Sequence, residues 1–148
     1  MVNSIAELKV GDVAYVLSGR QNSFFPVEVT KRDEGGVEVY LQAKREHQWY
    51  YTDGRADAEA IDDDGLPRAT LVPVDDWRLG VLKQRKDYKK LHQLFQTAIT
   101  VFYRDPTPEN MTTMFDSLMS WRDFVRRANP LAIRSESIPE YLELRSKQ

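Results

Sequence analysis

The chain has 148 residues, 41% of them hydrophobic and 30% charged, with a formal net charge of −2. That balance describes one ordinary globular domain and excludes a collagen-like repeat or a disordered polyelectrolyte. Because there is no cysteine, a disulfide scaffold, a cysteine-zinc site and a thiol nucleophile are excluded together.

The small net charge conceals an asymmetry. Residues 1–74 carry 8 Lys/Arg against 13 Asp/Glu, or −5, whereas residues 75–148 carry 13 against 10, or +3. An acidic front and a basic back can orient a charged partner or draw two copies together. The opening residues 1–7 have neither a basic start nor an apolar stretch. No run approaches the roughly 20 apolar residues that a bilayer span needs, so a soluble, cytoplasmic protein without membrane contact is expected.

Up to Val74 the apolar residues come in short alternating runs broken by Gly, Asp and Asn, the pattern of antiparallel strands and turns. Val13, Tyr15 and Leu17 alternate with Ala14 and Val16. Phe25, Val27 and Val29 alternate with Pro26, Glu28 and Thr30, and Val37, Val39 and Leu41 with Glu38, Tyr40 and Gln42. Asp33-Glu34-Gly35-Gly36 predicts a hairpin made of residues that tolerate positive φ. Asp53-Gly54 repeats the signal after residues 48–52, and residues 69–74 supply a last strand. Pro26 and Pro73 cannot donate to a ladder, so they belong at edges or strand ends. The segment Lys9-Val10-Gly11-Asp12-Val13-Ala14-Tyr15-Val16 resembles the first strand of small β-barrels of the KOW and Tudor kind. The resemblance implies a five-stranded barrel that binds peptides, nucleic acid or another domain through one face and its loops. It covers at most the β-rich half.

After Val74 the spacing becomes helical. Asp75 or Asp76 can cap a helix that starts near Trp77 and continues through Tyr88, Leu91, Leu94, Phe95, Ala98, Ile99 and Phe102, with Gly80 weakening its first turn. Arg104-Asp105-Pro106 ends it. Thr107-Pro108 opens a second helix that reaches Ala128, where Asn129-Pro130 stops it. Ser137-Ile138-Pro139-Glu140 is a capping-box pattern before a short terminal helix. The long pair forms an αα-hairpin.

Catalytic motifs are scarce. His47, beside Glu46, could serve as a general base with a carboxylate to orient it, although a surface histidine explains it as simply. His92 has no second histidine four residues away, so a helical metal pair is excluded. Asp62-Asp63-Asp64-Gly65 fits part of a calcium loop, but Ala60 and Leu71 stand where two ligands are required. The glycines form no dinucleotide fingerprint or Walker loop. Residues 18–23, with Arg20, could cradle an anion, or be an ordinary polar loop.

Two features point to binding. Trp49 and Tyr51 fall on one strand face and Tyr50 on the other, with Tyr40 on the neighbouring strand, so one aromatic face is open unless the helices cover it. Lys83, Lys86 and Lys90 share a face of the first long helix, with Arg85 and Lys89 beside it. That stripe either faces solvent or neutralises phosphates. The second long helix, with Met111, Met114, Met119, Trp121 and Phe124, carries more apolar circumference than a single stripe uses, which predicts self-association.

The sequence thus predicts an α+β protein, with residues 1–74 a small antiparallel β-barrel and residues 75–148 a helical hairpin plus a short C-terminal helix packed against it. The function expected is a non-enzymatic binding protein that needs no cofactor or metal. It would act as an adaptor, assembly factor or inhibitor through protein contacts, including a homodimer through the hairpin. An accessory protein of this kind suits a phage or mobile element. A nucleic-acid-binding accessory role is the second reading, and a small enzyme centred on His47 the third.

Overall fold

The computed structural model describes residues 4–18, 21–56 and 69–148. Asp62-Asp63-Asp64-Gly65 and Arg20, singled out above, lie outside the described residues. After a 3-10 turn at Ile5–Glu7 come five strands: β1 (Val13–Ser18), β2 (Ser23–Asp33), β3 (Gly36–Leu41), β4 (Glu46–Tyr51) and β5 (Ala69–Val72). They form one antiparallel sheet in the order β4-β3-β2-β1-β5.

The sheet curls because β2 serves two partners in succession. Its first half pairs with β1, from Ser18↔Ser23 to Val13↔Glu28, and its second half with β3, from Glu28↔Tyr40 to Asp33↔Gly36. The register shifts between Val29 and Lys31, and such an irregularity bends a strand and increases its twist. At the far side, Leu71 N–H donates to Gly54 O at 2.8 Å and Tyr51 N–H to Arg55 O at 2.9 Å. With the Arg55↔Thr70 bridge, these bonds draw the chain after β4 onto β5 and make a half-barrel. Pro26 sits where β2 has β1 on one side and β3 has not yet begun, so its missing N–H costs no ladder bond. Pro73 directly follows β5.

The barrel interior is filled by Ala14, Val16, Val27, Val29, Val37, Val39 and Tyr50, with Ile5 and Leu8 closing one end. Arg32 fixes that end by donating to Leu8 O at 2.6 Å and to Ala6 O. In β1 both faces are used: Ala14 and Val16 turn inward, while Leu17 is buried against the helices. Phe25 departs from the expected pattern and is exposed. The β2–β3 turn forms as predicted, but neither Gly35 nor Gly36 adopts positive φ. Instead the Asp33 carboxylate accepts Gly35 N–H at 2.7 Å. Gly36 is needed because an added Cβ would lie 2.1 Å from Tyr50 O on β4.

The helices are α1 (Trp77–Arg104), α2 (Pro108–Arg127), α3 (Pro130–Arg134) and α4 (Ile138–Ser146). At 1.5 Å per residue α1 spans about 42 Å. Asp76 caps it by accepting Arg78 N–H at 2.9 Å; Gly80 does not break it, and a Cβ there would meet open space. Thr107 caps α2 through Asn110 N–H, with Pro108 at its start. The sequence reading missed α3. Asn129-Pro130 ends α2 and also begins a new helix, since the Asn129 side chain accepts Leu131 N–H at 3.0 Å. Ser137 caps α4, while Glu140 reaches back to Glu136 N–H.

A second apolar cluster joins sheet and helices: Leu17 and Val72 meet Leu79, Leu82, Leu131, Ala132 and Ile138. Thus the first turns of α1, together with α3 and α4, cover the outer face of β1 and β5. The rest of α1 leaves the barrel with α2 as its main neighbour.

Candidate binding surfaces

The aromatic strand divides between core and solvent. Tyr50 is buried in the barrel, Trp49 is half-buried and Tyr51 is exposed. Burial raises the Tyr50 hydroxyl pKa to about 12, because the phenolate would lose its hydration. On the outward face, Tyr40 lies beside His47 with ring centroids 5.2 Å apart. Tyr51 has Arg55 over its ring at 6.0 Å. The helices do not form the cover weighed above, since they pack on the β1–β5 side.

His47 takes a cross-strand partner instead of its neighbour Glu46. Its Nδ1 lies 3.2 Å from Glu38 Oε1 and 3.3 Å from Thr30 Oγ1. Hydroxyl, imidazole and carboxylate thereby meet as in a hydrolase triad, but both contacts use the same ring nitrogen. A relay needs the base nitrogen and the oriented nitrogen to differ. The group is a polar ladder across three strands. Among the described residues, no group of three or more His, Asp or Glu could hold a metal ion.

The basic helix face is partly committed to the barrel. Lys83 Nζ sits 5.0 Å from the centre of the Tyr15 ring and Lys86 Nζ 5.3 Å from that of Phe24, so their ammonium groups rest on aromatic faces. Arg85 donates to Ile133 O and to the Glu136 carboxylate, which Lys89 approaches at 3.6 Å. Lys90 is exposed. The expected stripe is therefore divided: Lys83 and Lys86 cover sheet aromatics, and Arg85 with Lys89 brackets Glu136. Between α1 and the start of β2 lies a shallow groove of about 340 Å³, lined by Asn22, Ser23, Phe24, Arg85, Lys86 and Lys89.

The third surface is the hairpin. Trp121 of α2 packs its indole among Tyr88, His92 and Phe95 of α1, with centroids 6.0, 4.6 and 5.7 Å away. Met114, Ser117, Trp121, Phe124 and Ala128 are half-buried along this seam, at alternating spacings of three and four residues. No residue of the 20 in α2 is fully buried. A second row, Met111, Phe115, Leu118, Arg122 and Val125, repeats the same spacing one position on. In it Phe115 is 49% exposed, Met111 42% and Val125 40%, while Leu118 between them is half-buried. On α1, Ile99 and the exposed Tyr103 lie four residues apart and so share one face of that helix. Sequence reading noticed the surplus apolar circumference. It did not separate Met114, Trp121 and Phe124, which are half-buried, from Met111 and Met119, which are open, and it placed Phe115 and Val125 in one stripe with the former. Two interleaved three-four patterns in one helix are the signal that separates them.

No protein family, curated protein or solved structure matches this chain. Among the described residues, no helix is long and apolar enough to cross a membrane.

Proposed function

We propose that the chain is a non-enzymatic binding protein that acts through protein–protein contacts, with the open face of the α1–α2 hairpin as its working surface. The observation that carries this reading is that α2 buries no residue completely while exposing a row of large apolar side chains. A helix in a globular protein owes most of its stability to packing of its apolar face, and contiguous exposed apolar patches mark interaction sites. Arg122 is the one charged member of the row, as suits an interface core depleted of charge. The half-barrel and the short helices α3 and α4 serve as the base from which the hairpin projects.

Affinity capture with three baits tests this reading: wild type, Phe115→Asp, and Trp49→Ala as a barrel control. The reading expects a protein partner, including a differently tagged copy of the chain, to be retained by wild type and Trp49→Ala and lost by Phe115→Asp. Loss with Trp49→Ala alone would move the working surface to the sheet. Recovery of nucleic acid, abolished by replacing Lys86 and Lys89, would favour the basic groove.

A further inference from the structure

Resting on that reading, we infer that the occupant of the open hairpin face is a second copy of the chain, docked antiparallel about a two-fold axis at Leu118 so that two hairpins complete a four-helix bundle. The row on α2 is nearly symmetric in its spacing about Leu118, with apolar residues at both ends. Met111 and Val125 lie seven residues to either side of Leu118, and Phe115 and Arg122 lie three and four residues away. A two-fold interface requires one patch to complement itself. With Leu118 on the axis, Met111 meets the partner's Val125 and Arg122 meets the partner's Phe115, an aromatic face for the single cation. A parallel pairing would bring Arg122 against its own copy, two like charges in an apolar seam.

The dimensions agree. Two helices side by side, each about 30 Å long over the hairpin and about 10 Å across, offer on the order of 600 Å² per copy. A face-to-face pair then covers roughly 1,200 Å², the lower bound of stable specific interfaces. Three-four spacing on both seams of α2 matches the crossing geometry of four-helix bundles.

Because the chain has no cysteine, single introduced thiols report this arrangement directly. Leu118→Cys, Met111→Cys and Val125→Cys are prepared, checked for helicity by circular dichroism, and oxidised under mild conditions. The expected result is a covalent dimer from Leu118→Cys alone. Met111→Cys and Val125→Cys should each stay single and cross-link to one another when mixed. Self-linkage of Met111→Cys and of Val125→Cys would establish a parallel pair and overturn the proposal. So would the absence of any cross-link together with sedimentation of the wild type as a monomer at millimolar concentration. In that last case, if Phe115→Asp still abolishes capture of a different protein, the second copy is excluded as occupant while the binding surface stands.

Discussion

The imidazole of His92 lies 4.6 Å, centroid to centroid, from the indole of Trp121. This contact, with those to Tyr88 and Phe95, anchors α2 on α1. The indole Nε1 is buried without a hydrogen-bond partner. Trp121→Ala removes the anchor. Full-core Trp or Phe truncations cost about 3–5 kcal/mol, and for this half-buried site about 2–3 kcal/mol is expected. Trp121→Phe should cost under about 1 kcal/mol, because it keeps much of the ring contact and removes an unpaired donor. Urea denaturation of both variants checks the contrast; equal losses would mean that the ring does not anchor the hairpin.

Arg85 ties α1 to the segment joining α3 and α4 by donating to Ile133 O and to Glu136. Its side chain is only 20% exposed, whereas that of Lys89, 3.6 Å from the same carboxylate, is 58% exposed. Arg85→Met leaves the part-buried Ile133 carbonyl without this donor and should destabilise by about 1–2 kcal/mol. Lys89→Met removes a solvent-screened pair and should change stability by about 0–1 kcal/mol. Thermal unfolding ranks the two. The account expects Arg85→Met to give the larger loss.

Two glycines should respond to alanine in opposite directions. At Gly36 the new Cβ would strike Tyr50 O at 2.1 Å, while at Gly80 it meets nothing within 4 Å. Gly36→Ala should therefore force β3 and β4 apart and cost at least about 2 kcal/mol, in the range of overpacking. Gly80→Ala should stabilise α1 by up to about 1 kcal/mol. Chemical denaturation midpoints give the sign of each.

This pair also shows how far the residues can be read in advance. Alternation and turn chemistry were enough to locate five strands and the long hairpin, because Asp33, Gly54, Thr107 and Ser137 act locally on the backbone next to them. What depended on distant chain was not legible. Gly36 is required by a strand that arrives ten residues later. Lys83 and Lys86 read as solvent-facing until β1 and β2 place Tyr15 and Phe24 beneath them. His47 read as paired with Glu46 until strand pairing set Tyr40 opposite it and brought Glu38, diagonal on β3, within reach. The helix α3 was missed because Asn129-Pro130 is both a stop and a start, and only the Asn129 cap distinguishes them. On the candidate surface, Met111 and Met119 were visible as surplus apolar residues, but their separation from Trp121 required knowing which seam α1 occupies.

Stability should also fall at high pH because of one side chain. Unfolded tyrosine ionises near its ordinary value of 10, whereas Tyr50 in the barrel holds its proton to about 12. Between these values the unfolded state has released a proton that the folded state retains, so rising pH favours unfolding. The Tyr50 contribution is complete below pH 10 and declines through pH 12. Comparison of wild type with Tyr50→Phe across this window cancels the effects of the other tyrosines and lysines. Wild type should lose stability relative to the variant, and a constant difference would contradict the buried phenol.

Amide hydrogen exchange along α2 tests the central claim most directly. A 20-residue helix without a fully buried residue should open at a far lower free energy than the barrel strands when its outer face is bare. If that face is a working interface between copies, protection of amides from Met111 to Val125 should rise as protein concentration goes from micromolar to millimolar. Protection in β1–β3 should stay constant, and Phe115→Asp should abolish the rise. Exchange in α2 that is independent of concentration and identical in wild type and Phe115→Asp would contradict the account.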